Sequence, residues 1–148
     1  MLKDDMGYRF IEDIAIADIA FEASGKDINE LFEYSAYALE NTMVKDLKSI
    51  KHESTKEFKV NAKNLDILLV QFLDRLIFYK DTEQLVFAEV NVNVEKSGEG
   101  YEAHCSAMGE TLDSERHSLL VDVKAVTMHM LYVRKEEETW KAMVVLDI

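Results

Sequence analysis

Three acidic groups near the two ends of the sequence have the chemistry of a cation site. Asp18 falls in a segment that alternates like a strand, Asp147 lies in the last predicted strand, and the main-chain carboxylate of Ile148 follows it. Hard cations such as Ca²⁺, Mg²⁺ and Mn²⁺ bind several oxygen ligands, and a cation would offset the repulsion between converging carboxylates. A lone strand Asp or a chain terminus is more often simply solvated, so the residues by themselves leave both interpretations open.

Other catalytic chemistries have no matching motif in the sequence. Cys105 is the single cysteine, which excludes an intramolecular disulfide and favours an inert, packed thiol. The Gly98–Gly100 segment is typical of a hairpin turn and not of a phosphate-binding loop. The sequence leaves open a catalytic nucleophile whose base lies far away in the chain.

The composition favours one soluble domain with an acidic surface. The chain has 148 residues, of which 48% are hydrophobic and 31% charged, and its formal net charge is −12. This length fits a single domain spanning residues 1–148, in which we expect residues 1–7 to be frayed. The negative charge opposes direct binding to nucleic acid and favours metal cations or a basic protein partner, or serves solubility alone. With no membrane span and no secretory signal in the sequence, we expect a cytoplasmic protein.

The elements that must position these groups begin with Glu12–Met43. Ile16–Ala23 alternates like a strand, and a tight turn at Gly25 follows it. Asp27 and Glu30 have the spacing of a helix capping box. One buried stripe at helical spacing is predicted for the helix that follows, formed by Ile28, Leu31, Phe32, Ser35, Leu39 and Met43.

The remaining pattern predicts one more helix and several antiparallel strands. Asn64–Tyr79 is apolar on more than one side, as expected of a helix buried between layers or of a partner-binding face, and Asp81–Glu83 should end it. We expect strands at Tyr8–Ile14, Glu53–Ala62, Val86–Glu95, Tyr101–Met108, Leu120–Lys135 and Thr139–Ile148, with a polar loop at Gly109–Leu119. The predicted fold class is α+β: an antiparallel or mixed sheet with two main helices packed on it.

In their order and spacing, five segments of the sequence resemble the archease family. They are the Ala-Asp-Ile strand at Ala17–Ile19, the helix opening Asp27–Ala36, the Leu-rich helix Asn64–Asp81, the Ala-x-Gly-Glu turn at Ala107–Glu110, and the Val-Lys-Ala-x-Thr-x-His strand within Asp122–His129. The chain also stops at Asp-Ile, as archease chains stop at Asp-Ile or Asp-Leu. The resemblance covers nearly the whole chain from about Tyr8.

The resemblance implies a metal site and residues at its edge. Asp18, Asp147 and Ile148 match the metal-binding positions of the family, with calcium favoured and magnesium or manganese as alternatives. Glu110, His117 and Lys124 resemble positions that edge the same surface. His129 has apolar strand neighbours, which favours a core position over a ligand. The family often has His-Thr where this chain has Ala15-Ile16, so a metal-site histidine is not expected there.

The resemblance also implies a function without catalysis of its own. Archeases assist the GTP-dependent RNA-splicing ligase of the RtcB type in tRNA splicing, promoting its guanylylation and restoring its turnover, and members are linked to tRNA methyltransferases. We therefore expect an accessory, chaperone-like protein with a divalent cation. A small metal-dependent hydrolase and a general chaperone that uses the apolar second helix are the alternatives.

Overall fold

The part of the chain that the computed structural model describes, residues 7–12 and 18–148, folds into two helices and seven strands. The strands are β1 (Gly7–Ile11), β2 (Asp18–Gly25), β3 (Ser54–Ala62), β4 (Leu85–Ser97), β5 (Gly100–Thr111), β6 (Ala125–Glu136) and β7 (Thr139–Asp147). The helices are α1 (Ile28–Met43) and α2 (Leu65–Glu83), and a single 3₁₀ turn lies at Leu47–Ser49. The α+β prediction is confirmed, with two sheets in place of one.

Every strand pairing in the two sheets is antiparallel. The four-stranded sheet has the order β1-β2-β7-β6 and the three-stranded sheet the order β3-β5-β4. The last strand is therefore internal, held between β2 and β6. The inner face of the four-stranded sheet, including Phe21, Val144 and Leu146, joins the main core with the helices and the three-stranded sheet. Its outer face carries a small second cluster of Ala20, Met143 and Val145.

Both helices start where the sequence predicts. Asp27 caps α1 by accepting the Glu30 N–H at 2.8 Å, while the Glu30 carboxylate accepts the N–H of Lys26, one residue before the usual capping-box partner. Asn64 caps α2 by accepting the Ile67 N–H at 2.9 Å. The predicted end of α2 is wrong: the helix continues to Glu83 and stops at Gln84, whose φ of 56° is left-handed.

Helix α1 closes the free edge of β4 with polar side chains. Acceptors on α1 receive backbone N–H groups from β4 as follows: Asn29 from Val94 (2.7 Å), Glu33 from Val92 (2.9 Å), Tyr37 from Val90 (3.1 Å) and Glu40 from Phe87 (3.1 Å). The acceptors are three or four residues apart, on one side of the helix. The donors are two residues apart except at the last step, where a β-bulge between Phe87 and Glu89 adds one residue.

Because of the same bulge, the start of β4 faces the opposite way from the prediction. Strict alternation places Phe87 on the outer face, whereas it is fully buried. The extra residue at the bulge reverses the alternation there. Gly109 lies opposite Phe87, and a Cβ at Gly109 would collide with the Val86 carbonyl oxygen and the Phe87 Cα. Glycine is therefore required at this position of the Ala-x-Gly-Glu segment because the bulged strand approaches its backbone closely.

Three further boundaries differ from prediction. Gly109–Thr111 belongs to β5 and not to a loop, because Gly109 and Glu110 continue the ladder with β4. Strand β6 begins at Ala125, five residues later than Leu120, and the preceding residues cross the ends of the helices. Strand β1 ends at Ile11, and the predicted residues Asp13–Ala17 lie outside the described residues. Within the described part of the chain, neither helix combines the length and hydropathy needed to cross a bilayer.

Burial of Glu40 makes the stability of the fold depend on pH. This side chain is fully buried, and among the described residues its Oε2 has no hydrogen-bond partner. Burial raises the pKa of Glu40 to about 8, although the Phe87 N–H and Lys80 oppose the rise. Because the unfolded chain releases this proton near its ordinary pKa of about 4.5, the stability of the wild type falls between about pH 4.5 and 8.

We expect Glu40→Gln to be more stable than the wild type at neutral pH, by on the order of 1 kcal/mol, with the gain growing from pH 5 to pH 8. The amide keeps the acceptor for Phe87 and has no proton to lose. Urea unfolding at several pH values measures the effect, with Glu57→Gln on the exposed side of β3 as the control. A difference between wild type and Glu40→Gln that does not change with pH would contradict the assignment.

Candidate functional site

The two central strands of the four-stranded sheet, β2 and β7, place two acidic residues opposite each other. Asp18, the first residue of β2, lies directly opposite Asp147, the last residue of β7. Directly opposed residues of an antiparallel pair project from the same face, with Cβ atoms about 5 Å apart. The adjoining pair on that face is Ala20 and Val145, which assigns the two carboxylates to the outer face of the four-stranded sheet.

The neighbouring backbone fixes the end of β7. On its other side Asp147 lies opposite Ala125 of β6, and its carbonyl oxygen accepts the N–H of Lys124 at 2.8 Å. The side chain of Ile148 packs on the main core, as the alternation of β7 requires. Asp147, the adjoining Ile148 and the exposed Lys124 are therefore held at the same end of the sheet as Asp18.

The carboxylates of Asp18 and Asp147 are the kind of ligand that a hard cation prefers, but two side chains do not complete its coordination. Two carboxylates supply oxygen ligands alone, which suits Ca²⁺, Mg²⁺ or Mn²⁺. Within residues 7–12 and 18–148, no group of three or more His, Cys, Asp or Glu side chains could hold a metal ion. A cation at the Asp18–Asp147 pair would therefore draw its remaining ligands from main-chain oxygens, such as those of Ile148, and from water.

Glu110 and His117 form a separate, buried clamp. Glu110 belongs to the three-stranded sheet, and its carboxylate binds the Arg116 guanidinium, His117 Nε2 (2.8 Å) and the N–H of Lys51 (2.7 Å). His117 Nδ1 accepts the N–H of Asp113 at 2.9 Å, so Nε2 carries the proton that it donates to Glu110. The two residues that we expected at the edge of the metal site thus bond each other and fix the start of the loop from Leu112 to Lys124.

Lys80 fixes the other end of that loop, a role that the sequence did not reveal. This largely buried side chain on α2 donates to the Val123 carbonyl oxygen at 2.9 Å and to the Asp122 carboxylate. The N–H of Leu120 also bonds the Met43 carbonyl oxygen at the end of α1. A lysine at the end of an apolar helix is normally solvated, and here the folded loop adds partners to the neighbouring Asp81 on α2. Lys124 is thereby held beside Asp147.

Two other candidate residues have simple outcomes. His129 is exposed, so its predicted core position is wrong: β6 departs from regular pairing there, and its alternation no longer places the side chain inward. Cys105 is buried, and burial raises the pKa of its thiol to about 12, which agrees with the inert thiol predicted.

The sequence is similar to known proteins over nearly its whole length. The model of the Archease protein family (MTH1598/TM1083) matches residues 8–148. The chain belongs to the archease family. Protein archease of Thermococcus gammatolerans is 36% identical over 133 residues, which is 89% of this chain and 93% of that one. Protein archease of Methanothermobacter thermautotrophicus is 32% identical over 142 residues, covering 96% and 99%.

Solved structures share the archease fold. The solution structure of Methanobacterium thermoautotrophicum protein 1598 superposes with a TM-score of 0.83 at 33% identity, covering 96% of this chain and 99% of that one. The crystal structure of an archease from Thermotoga maritima, described as a possible chaperone, gives a TM-score of 0.61 at 18% identity, covering 95% and 98%. At that identity the second match shows the fold alone.

The clamp at Glu110 should make the stability of the fold depend on pH in the acid range. The Arg116 guanidinium, with the Lys51 N–H and His117, lowers the pKa of Glu110 to about 2 against the effect of burial. A lowered pKa stabilises the fold above about pH 4.5, and this contribution is lost as the pH falls towards 2. We expect Glu110→Gln to lower the free energy of unfolding at pH 7 by about 1–3 kcal/mol.

The difference between wild type and Glu110→Gln should shrink when unfolding is measured at pH 3, because the unfolded chain then binds a proton at Glu110 that the folded protein largely excludes. Urea unfolding of both proteins at pH 7 and pH 3 tests this. A deficit of equal size at both pH values would mean that the charge of Glu110 does not stabilise the clamp.

Proposed function

We propose that this protein is an accessory factor of a GTP-dependent RNA ligase of the RtcB type, and that it promotes ligase guanylylation and turnover in tRNA splicing. Membership of the archease family supports an accessory role. The observation that carries the proposal is the direct opposition of Asp18 and Asp147, both half-buried, at the end of the sheet. Like charges directly opposite each other are unfavourable in a ladder, and a divalent cation between them offsets that cost.

In this proposal Asp18, Asp147 and the main-chain oxygens of Ile148 hold the cation, with calcium favoured over magnesium or manganese. When bound, a hard cation supplies positive charge that attracts phosphate oxygens. The protein contributes the position: β7 is fixed between two strands, and the N–H of Lys124 bonds the carbonyl oxygen of Asp147 at its end. The ion is thus presented from a rigid sheet end and not from a flexible tail.

Charge also favours this kind of partner. A ligase that acts on RNA presents a basic surface to the phosphate backbone, and a protein of net charge −12 is steered towards such a surface. The same charge disfavours RNA as the direct ligand. The protein is therefore expected to bind the ligase itself and not its substrate.

The test is guanylylation of the purified ligase by labelled GTP, after one round of ligation, in the presence of this protein. We expect the wild type to restore labelling and Asp147→Ala to reduce the rate at least tenfold, because that variant lacks half of the carboxylate pair. Glu57→Ala is the matched control: it removes one negative charge from the exposed face of the other sheet and should stimulate like the wild type.

Equal stimulation by Asp147→Ala and wild type would contradict the role of the carboxylate pair. Absence of stimulation by the wild type would contradict the ligase assignment. Phosphoester hydrolysis by this protein alone with Ca²⁺, Mg²⁺ or Mn²⁺ would favour a metal-dependent hydrolase instead.

A further inference from the structure

Strand β6 leaves its partner β7 for four residues close to the carboxylate pair. Thr127 lies opposite Val145 and Tyr132 lies opposite Met143, so residues 128–131 face Val144 alone. An ordinary β-bulge adds one residue to one strand, and this one adds three. The segment, which we term the β6 bulge, therefore projects from the edge of the four-stranded sheet.

The β6 bulge combines two features that a fold normally avoids. Met128 and Met130 are 57% and 49% exposed, and His129 between them is exposed as well. Met130 has a φ of 58°, in the left-handed region that is unfavourable for a residue with a Cβ. Backbone strain of this kind persists where the surroundings impose it, and it concentrates at functional sites.

One flank of the bulge is held by helix α2. The Asp66 carboxylate accepts the N–H of Val133, the second residue after the bulge, at 2.9 Å. Because this flank is bonded to the helix, the bulge is displayed beside a fixed point. Apolar side chains displayed in this way are characteristic of binding anchors.

The position of the bulge links it to the carboxylate pair. Ala125, which lies opposite Asp147, precedes Met128 by three residues, or roughly 10 Å of extended strand. A partner seated on the bulge therefore reaches the pair as well. The net charge of −12 favours positive charge on the partner surface around the socket, and flexible methionine side chains suit an irregular apolar socket.

We propose that the β6 bulge is the docking element for a protein partner that presents an apolar socket bordered by Lys or Arg side chains. This inference rests on the proposed function, because the partner in question is the RNA ligase that the carboxylate pair serves. Met128 and Met130 enter the socket, while the acidic surface of this protein faces its basic border.

The test compares ligase affinity among three variants by calorimetric titration. We expect the double variant Met128→Ser/Met130→Ser to bind the ligase at least tenfold more weakly than the wild type. Phe78→Ser is the matched control, since Phe78 is 54% exposed on α2, and it should bind like the wild type. Met130→Gly should bind more weakly while unfolding at a higher urea concentration, because glycine accepts the left-handed backbone.

Weaker binding by a more stable Met130→Gly protein excludes loss of folding as the cause. Wild-type affinity in the double variant would overturn the docking assignment while leaving the ligase assignment intact. A wild-type protein that neither binds nor stimulates the ligase would overturn the proposed function and this inference together.

Discussion

Antiparallel pairing of β2 with β7 determines which side chains from the two ends of the chain face each other. The register sets Asp18 against Asp147, and a shift of one residue would turn one carboxylate into the core. The register is strongly specified because Phe21, Val144 and Leu146 are buried on the inner face. Burial of apolar side chains on one face thus forces two like charges together on the other.

Helix side chains bond one edge strand of each sheet. Each sheet has an edge strand with backbone N–H groups bonded by side chains of a helix: α1 bonds β4 at several positions, and α2 bonds β6 at Val133, after the β6 bulge. Unpaired edges invite pairing with other chains, and helical carboxylates close them without adding a strand. Glu40 shows the cost of this arrangement, since a carboxyl group that caps β4 is buried and its pKa is raised to about 8.

Local patterns were sufficient for much of the fold. Both helix starts follow from the N-caps Asp27 and Asn64, and the position of Asp18 opposite Asp147 agrees with the predicted convergence of the chain ends. These features depend on residues close in sequence or on the strict period of strands. The edge strand predicted at Glu53–Ala62 also forms, with Phe58 and Val60 inward.

The errors have a common physical origin in long-range contacts. The bulges in β4 and β6 reverse the alternation that assigned Phe87 outward and His129 inward, and a bulge has no short-range signal here. The polar stripe of α1 bonds strand β4, 47 to 65 residues away in the chain, a contact for which the local pattern gives no signal. Lys80 and Glu110 acquire most of their partners when the loop from Leu112 to Lys124 folds over the ends of the helices.

The most direct test of the Asp18–Asp147 pair is the free energy of unfolding of wild type, Asp18→Asn and Asp147→Asn, each measured in a chelator and in excess Ca²⁺. In chelator, each Asn variant should be more stable than the wild type by about 0.2–1 kcal/mol, because one of two opposed charges is gone. In Ca²⁺ the order should reverse, since only the wild type keeps both carboxylates and gains stability by binding. Equal calcium responses in all three proteins, or none in the wild type, would contradict a cation site at this pair.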